Sequence, residues 1–538
     1  MQTPAGISQN EWIAALDAFR DAVGPEWVFT NEEDVALYRD AYSVVWDEPE
    51  ERLASAAVAP DSAEQVSAVV RAANRYRIPI YAISTGKNLG YGGSAPNLSG
   101  SVVLDLKRMN RVLEVDDTRH FAIVEPGVAY FDLYRYIQDR NLNVWVDCPD
   151  PGWGSVMGNA LDHGVGYTYN AYRDHFHSHC GMEVVLANGE IVRTGMGALP
   201  GAETWGEYRY GFGPTVDGLF AQGNVGVVTK MGIHLMPAPE AYQTSAVTVP
   251  RRADIIPLVA TVNALEHGGI IGMPEYRSTL GGFGGADPEL AEMLAGPGLP
   301  TDEQLEQYAT LRNRGYWSCN LQFYGGPGVI AAKIEYAKDR LRTAIPGATF
   351  NDGELWTFPL TQAQLDQAHK VALGIPNMSQ FSIGARSPLN PSPRDGHLWF
   401  SPLIPKTGEA VLEAQRVFMQ AFRDLGEPSM VSPFSAPATW MYRAFIFIMG
   451  FPVSRSDPEQ NRRTREIFRT LVRVGAEHGW GEYRTAPVFQ DEVMATYSYN
   501  NNALLRLHET IKDALDSNGI LSAGRSGIWP RHLREERG

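Results

Sequence analysis

At 538 residues, with 44% hydrophobic and 20% charged side chains, the chain is too long for one ordinary core and too apolar to stay unfolded, so two domains are expected. Lys plus Arg number 46 against 62 Asp plus Glu, and the resulting net charge of −16 opposes nucleic-acid and anionic-membrane partners. Cys148, Cys180 and Cys319 are scattered and lack metal-ligand spacing, which suits buried thiols in a reducing cytoplasm better than a disulfide framework.

Residues 10–20 read as an amphipathic helix, without the apolar core of a signal peptide. A strand at 53–60 is followed by Asp61-Ser62-Ala63-Glu64, a capping-box pattern for a helix reaching about Tyr76. Two further short strands, 78–83 and 101–106, flank the stretch Ser84-Thr85-Gly86-Lys87-Asn88-Leu89-Gly90-Tyr91-Gly92-Gly93. Four glycines in the eight residues 86–93 let bare backbone N–H groups approach a ligand where any Cβ would collide, and such concavities suit phosphate oxygens. The spacing matches neither the dinucleotide fingerprint that opens a helix nor a P-loop. Tyr91 is a large phenol set among these glycines.

The β-α-β order signals an α/β layer, and 112–115 and 121–125 are expected to continue its sheet, with a helix over 130–140. A second glycine-rich stretch runs from Asp147 through Gly152, Gly154, Gly158 and Gly164 to Tyr167. Two such loops in one region suggest a long ligand lying along both, and a dinucleotide is long enough. His175, His177 and His179 alternate, so on a strand they would share one face, but no second ligand cluster accompanies them and no metal is expected. Residues 183–193 form a hairpin turning at Asn188-Gly189, and 220–230 lead through a glycine turn into a β-branched strand.

Pro237-Ala238-Pro239 breaks the pattern and sets a boundary near residue 240. From 241 to 497, strands near 245–249 and 317–323 alternate with helices at 328–343 and 408–425 and with Pro-rich connections such as 387–394, the texture of an α+β second domain. The longest apolar run, 444–453, holds ten residues and includes Gly450 and Pro452, so it cannot span a bilayer. Residues 498–538, a helix at 502–515 and then a glycine-rich tail, are expected to return to the first domain, residues 1–240.

Taken in order, Ser84 to Gly93, Pro149-Asp150 with Gly152-Trp153-Gly154-Ser155 and Gly158-Asn159, Gly164-Val165-Gly166-Tyr167, Gly195 to Leu199 and Gly479 to Thr485 resemble the vanillyl-alcohol oxidase family, and within it the bacterial eugenol and 4-alkylphenol oxidases. The resemblance implies an α+β fold: a two-lobed FAD-binding domain (1–240 and the returning 498–538) and an α+β substrate cap (241–497). It assigns Thr85, Gly86, Lys87, Asn88, Leu89 and Gly90 to the pyrophosphate loop. Pro149, Gly154, Ser155, Gly158, Asn159, Gly226, Val228 and Arg525 fall in other FAD-contacting stretches, and His397 in Gly396 to Pro402 matches the histidine joined to the flavin 8α-methyl carbon. Tyr91, Tyr483 and Arg484 match the trio that holds a phenolic oxygen, Asp150 the carboxylate near flavin N5, and Tyr167, with Val165 beside it, the pocket wall. The family also implies a homodimer.

Departures bear on substrate size. Thr168 to His175 is longer than the relatives' Thr-Pro-Tyr-Gly-Asp-His, Trp399 stands where eugenol oxidase has glycine, and Gln380 occupies the place of an acidic residue in a longer segment.

The chemistry explains the trio. Hydride leaves the carbon para to a phenol hydroxyl once that hydroxyl is ionised, and lowering a phenol pKa from about 10 to about 7 takes roughly 4 kcal/mol. One guanidinium and two phenols in a dry pocket supply that order of energy. The expected activity is oxidation of a para-substituted phenol with dioxygen as acceptor. Its alternatives are electron transfer to a cytochrome, as in para-cresol methylhydroxylase, and a flavin-binding module without turnover.

Overall fold

The computed structural model describes residues 3–279, 288–312, 315–379, 396–428 and 437–537. Gln380 and the Pro-rich connection 387–394 lie outside them. Two larger sheets and a two-stranded one, Val144–Trp145 with Met236–Pro237, build the first domain. One orders Val28–Phe29, Ala56–Val58, Val102–Asp105 and Ile80–Ile83, its last three strands parallel. The expected continuation at 112–115 and 121–125 instead belongs to a separate five-stranded sheet, in the order Val112–Asp116, Phe121–Val124, Gly226–His234, His179–Leu186 and Ile191–Arg193, with every pair antiparallel. Both sheets are rich in Val and Ile, so composition alone does not reveal where one ends.

Helix Ala63–Tyr76 packs its Val66, Val69, Val70 and Ala73 onto the first sheet. Its cap is Ser62, whose side chain accepts the Gln65 N–H, rather than the Asp61 to Glu64 box expected from sequence. Helix Gln9–Val23 covers the same core with Trp12, Leu16 and Phe19. The chain's end joins it: Ile80 donates its N–H to the Ile520 carbonyl and its own carbonyl accepts the Ser522 N–H, while Ile520 and Leu521 enter the same core.

A third large sheet, with strands Glu275–Ser278, Trp317–Gly325, Ala241–Val249, Thr349–Asp352 and Trp356–Thr357, carries helix Pro327–Ala344, on which Ile255–His267 packs, with Gly408–Asp424 against Ile255–His267 in turn. Nearby, strand His397–Phe400 pairs with Met449–Pro452. Its period of two sends Leu398 and Phe400 into the large core, each burial worth about 2 kcal/mol, and turns His397 and Trp399 the other way. The apolar run 444–453 is two short strands, Ala444–Ile446 and Met449–Pro452, and among the described residues no helix is long and apolar enough to cross a membrane.

The three histidines part company. Only His179 lies on the strand; it pairs with Asp217, His175 is buried against Asp147, and His177 is exposed. Among the described residues no group of His, Cys, Asp and Glu could hold a metal ion. All three cysteines are buried and free.

Candidate active site

The turn between strands Ile80–Ile83 and Val102–Asp105 closes on itself, since the Asn88 carbonyl accepts the N–H groups of both Tyr91 and Gly93. The second glycine stretch ends in a short helix, Val156–Leu161, capped by Ser155, whose Oγ accepts the Gly158 N–H at 2.9 Å and donates to the Pro126 carbonyl at 2.6 Å. Between these two stretches opens a cleft. Thr85, Gly86, Lys87, Asn88, Gly154, Ser155, Gly158, Asn159, Gly226, Val228 and Arg525 all line it, so residues more than four hundred positions apart converge there. Leu89, Gly90, Pro149 and His397 are not on its walls.

The cleft fits a long anionic ligand on two grounds. Its walls carry Lys87, Arg484 and Arg525 against one carboxylate, Asp162, in a protein whose overall charge is strongly negative. The glycines also have different reasons to be glycine. A Cβ on Gly86 or Gly158 would collide with Ser94 or Ser84, whereas one on Gly154 would meet nothing nearer than the Pro151 carbonyl at 3.6 Å. Packing within the protein therefore does not require Gly154. The space left open there is where a ligand can approach the main chain. FAD, with its pyrophosphate, has the charge and length such a cleft accepts.

Asp162 is the hub, and sequence reasoning missed it. Its carboxylate accepts from Asn88 Nδ2 at 2.6 Å, from Arg484 at 3.3 Å and from the Arg525 guanidinium. Gln222 was missed as well; its amide holds the Tyr483 carbonyl at 3.1 Å. The only available signal was that Asp162 stands three residues after Asn159 of the Gly158-Asn159 motif.

Arg484 belongs both to the cleft wall and to the trio. Its guanidinium carbon lies 3.9 Å from the Tyr91 ring and 5.4 Å from that of Tyr483, with its side chain 15% exposed. Burial works against its charge, but the phenols of Tyr483 and Tyr91 and the Asp162 carboxylate more than offset this, so it stays firmly protonated. Burial pushes the Tyr483 phenol up while Arg484 pulls it down. Tyr91 is buried, its hydroxyl 3.2 Å from Ser401 Oγ.

The first loop also touches the strand of the candidate flavin-linking histidine. A Cβ on Gly90 would come within 2.8 Å of the Trp399 ring and 2.9 Å of the His397 ring. Trp399 stands between Gly90 and Gly450, its ring centre 4.5 Å from that of His397. His397 is buried and also contacts Tyr42 edge-on at 4.9 Å.

Asp150 accepts a 2.6 Å hydrogen bond from Ser379 Oγ. Tyr167 is buried with its ring against His369 and Trp440; burial pushes its phenol up, and the Asp150 and Glu275 carboxylates add to the effect. Val165 is half-buried and bridges to Asp174 in the lengthened segment.

Residues 54–195 match a family model described as an FAD binding domain. The chain is 33% identical over 527 residues to the 4-cresol dehydrogenase [hydroxylating] flavoprotein subunit of Pseudomonas putida, covering 98% of this chain and 97% of that protein. Its structure superposes on 4-ethylphenol oxidase from Gulosibacter chungangensis in its isoeugenol complex with a TM-score of 0.82, 37% identity and coverage of 99% of this chain and 100% of that one. Substrate-bound p-cresol methylhydroxylase gives a TM-score of 0.81 at 30% identity, covering 98% and 99%. With a cleft shaped and charged for FAD and full-length likeness in both sequence and structure, the chain belongs to the vanillyl-alcohol oxidase/p-cresol methylhydroxylase family of FAD-binding oxidoreductases.

Proposed function

We propose that the protein oxidises para-substituted phenols such as 4-alkylphenols. The observation that carries this reading is the protonated Arg484 guanidinium stacked 3.9 Å from the Tyr91 ring, with Tyr483 beside it, at the edge of the FAD-accepting cleft. A cation and two hydroxyls in a largely buried site favour the ionised form of a bound phenol, and ionisation is what releases a benzylic hydride. FAD, when bound, supplies the acceptor for that hydride and passes the electrons on, to dioxygen in the oxidase reading, with hydrogen peroxide as product. His397 is the residue that would hold it covalently through the 8α carbon.

Loss of hydride from the phenolate leaves a quinone methide, which gains water or loses a proton. Asp150 is the base for the incoming water: its carboxylate is oriented by Ser379 and faces the Tyr167 side of the site. The likeness to 4-cresol dehydrogenase over nearly the whole chain supports a second reading, in which a cytochrome takes the electrons.

Anaerobic mixing with a panel of para-substituted phenols tests the proposal. Bleaching of the flavin absorbance is expected, and a flavin that no such phenol bleaches would overturn it. Stoichiometric peroxide on admission of air separates the oxidase from the cytochrome-linked reading.

A further inference from the structure

Segments 401–403 and 481–482 run antiparallel, joined by a bridge between Pro402 and Glu482 and by a 3.0 Å hydrogen bond from the Leu403 N–H to the Gly481 carbonyl. The Glu482 side chain lies buried at this junction. Both of its carboxyl oxygens face the Ser401 N–H, at 2.8 and 3.0 Å. Ser401 is itself fully buried, and its Oγ lies 3.2 Å from the Tyr91 hydroxyl. On the other side of Glu482 the main chain passes directly to Tyr483 and Arg484, and Tyr497 fixes it by donating to the Glu482 carbonyl at 2.6 Å. One carboxyl group therefore ties the strand that carries His397 to the segment that carries Arg484, and it does so under the hydroxyl of the third member of the trio.

We propose that Glu482 is a positioning residue for phenolate capture: by holding the Ser401 N–H it sets Ser401 Oγ against Tyr91 and so aims the Tyr91 hydroxyl at the oxygen that Tyr483 and Arg484 receive. Burial pushes the Glu482 carboxyl well above the usual range, with the Ser401 N–H the only opposing influence. That direction suits the site, because negative charge on a side chain one residue from Tyr483 works against ionised phenols there. The role rests on the proposed phenol chemistry but goes beyond it, naming a residue that does not touch the substrate.

The test uses the flavin-loaded protein and 4-nitrophenol, whose colour reports its own ionisation, so that no turnover is needed. Wild type should bind it as phenolate well below its free pKa. Glu482→Ala should raise the bound pKa by about one unit, equivalent to about a tenfold loss of phenolate affinity at neutral pH, with flavin content unchanged. Glu482→Gln, which keeps an oxygen for the Ser401 N–H and carries no charge, should stay within about twofold of wild type. Ser401→Ala removes only the Oγ, leaves the fold's main-chain bonds in place and should shift the pKa in the same direction as Glu482→Ala; it decides the matter if the latter fails to fold. A Ser401→Ala protein with the wild-type bound pKa, or a Glu482→Gln protein as impaired as Glu482→Ala, overturns the proposal while the phenol chemistry stands. A wild type that binds 4-nitrophenol only in its neutral form overturns both.

Discussion

Replacing Arg484 by Met removes the charge while keeping much of the side chain's length. A cation about 4 Å from a phenolate oxygen in surroundings of effective dielectric about 20 is worth roughly 4 kcal/mol. At about 1.4 kcal/mol per pKa unit, that moves a bound phenol by about three units, from near 7 back towards 10. The ionised fraction at neutral pH should then fall by about five hundredfold, and flavin reduction with it. The Asp162 carboxylate shares the guanidinium at 3.3 Å and the side chain is 15% exposed, so a hundredfold loss marks the lower end of the expected effect. Anaerobic stopped-flow reduction with a 4-alkylphenol, followed from about pH 6 to about pH 10, measures it. The variant should regain much of the lost rate at the alkaline end, where the substrate ionises unaided. A variant reduced at neutral pH within about tenfold of wild type, or one with no alkaline recovery, refutes the electrostatic argument.

His397→Ala should give folded protein whose flavin is released by acid or SDS, while wild-type flavin stays with the polypeptide on a denaturing gel. Asp162→Asn leaves the Arg484 and Arg525 guanidiniums facing each other across an amide, and since breaking a buried pair costs about 3 to 5 kcal/mol, earlier thermal melting is expected. Asp40 packs beside the first glycine loop, and burial pushes its carboxyl up to about 6 from 3.8. Being protonated more readily when folded, it contributes stability below about pH 4 that is lost as pH rises through about 6, roughly 3 kcal/mol in all. Asp40→Asn still accepts the Tyr42 N–H and should therefore flatten the pH dependence of melting over that interval and raise the melting temperature at pH above it.

The parts of the site legible in sequence are those where one residue type has a single physical use. Gly86, Gly90 and Gly92 all have positive φ, and the Asn188-Gly189 turn, with Gly189 at φ +82°, needed no tertiary information to be found. The trio of Tyr91, Tyr483 and Arg484 came from the family's motifs; spacing alone does not predict that residues nearly four hundred positions apart will stack. Asp162 and Glu482 escaped because a carboxylate beside a motif looks like any solvated acid until its partners, Arg525 and Ser401, are seen to be distant in sequence. The splitting of the expected single sheet into two escaped for a related reason: strand period and composition are the same on either side of Leu106. The histidine alternation carried no information about the site, since a period of two has meaning only on a strand, and only His179 is on one.

The pairing of Ile80 with residues 520–522 means that stretches of chain more than four hundred residues apart must both be translated before the flavin has a home. Arg525 and Ser522 complete the cleft that the loop after Ile83 begins. A polypeptide that has reached the ribosome exit only as far as residue 519 has one wall of the pocket and lacks the other, so a nonsense codon at position 520 should yield colourless protein.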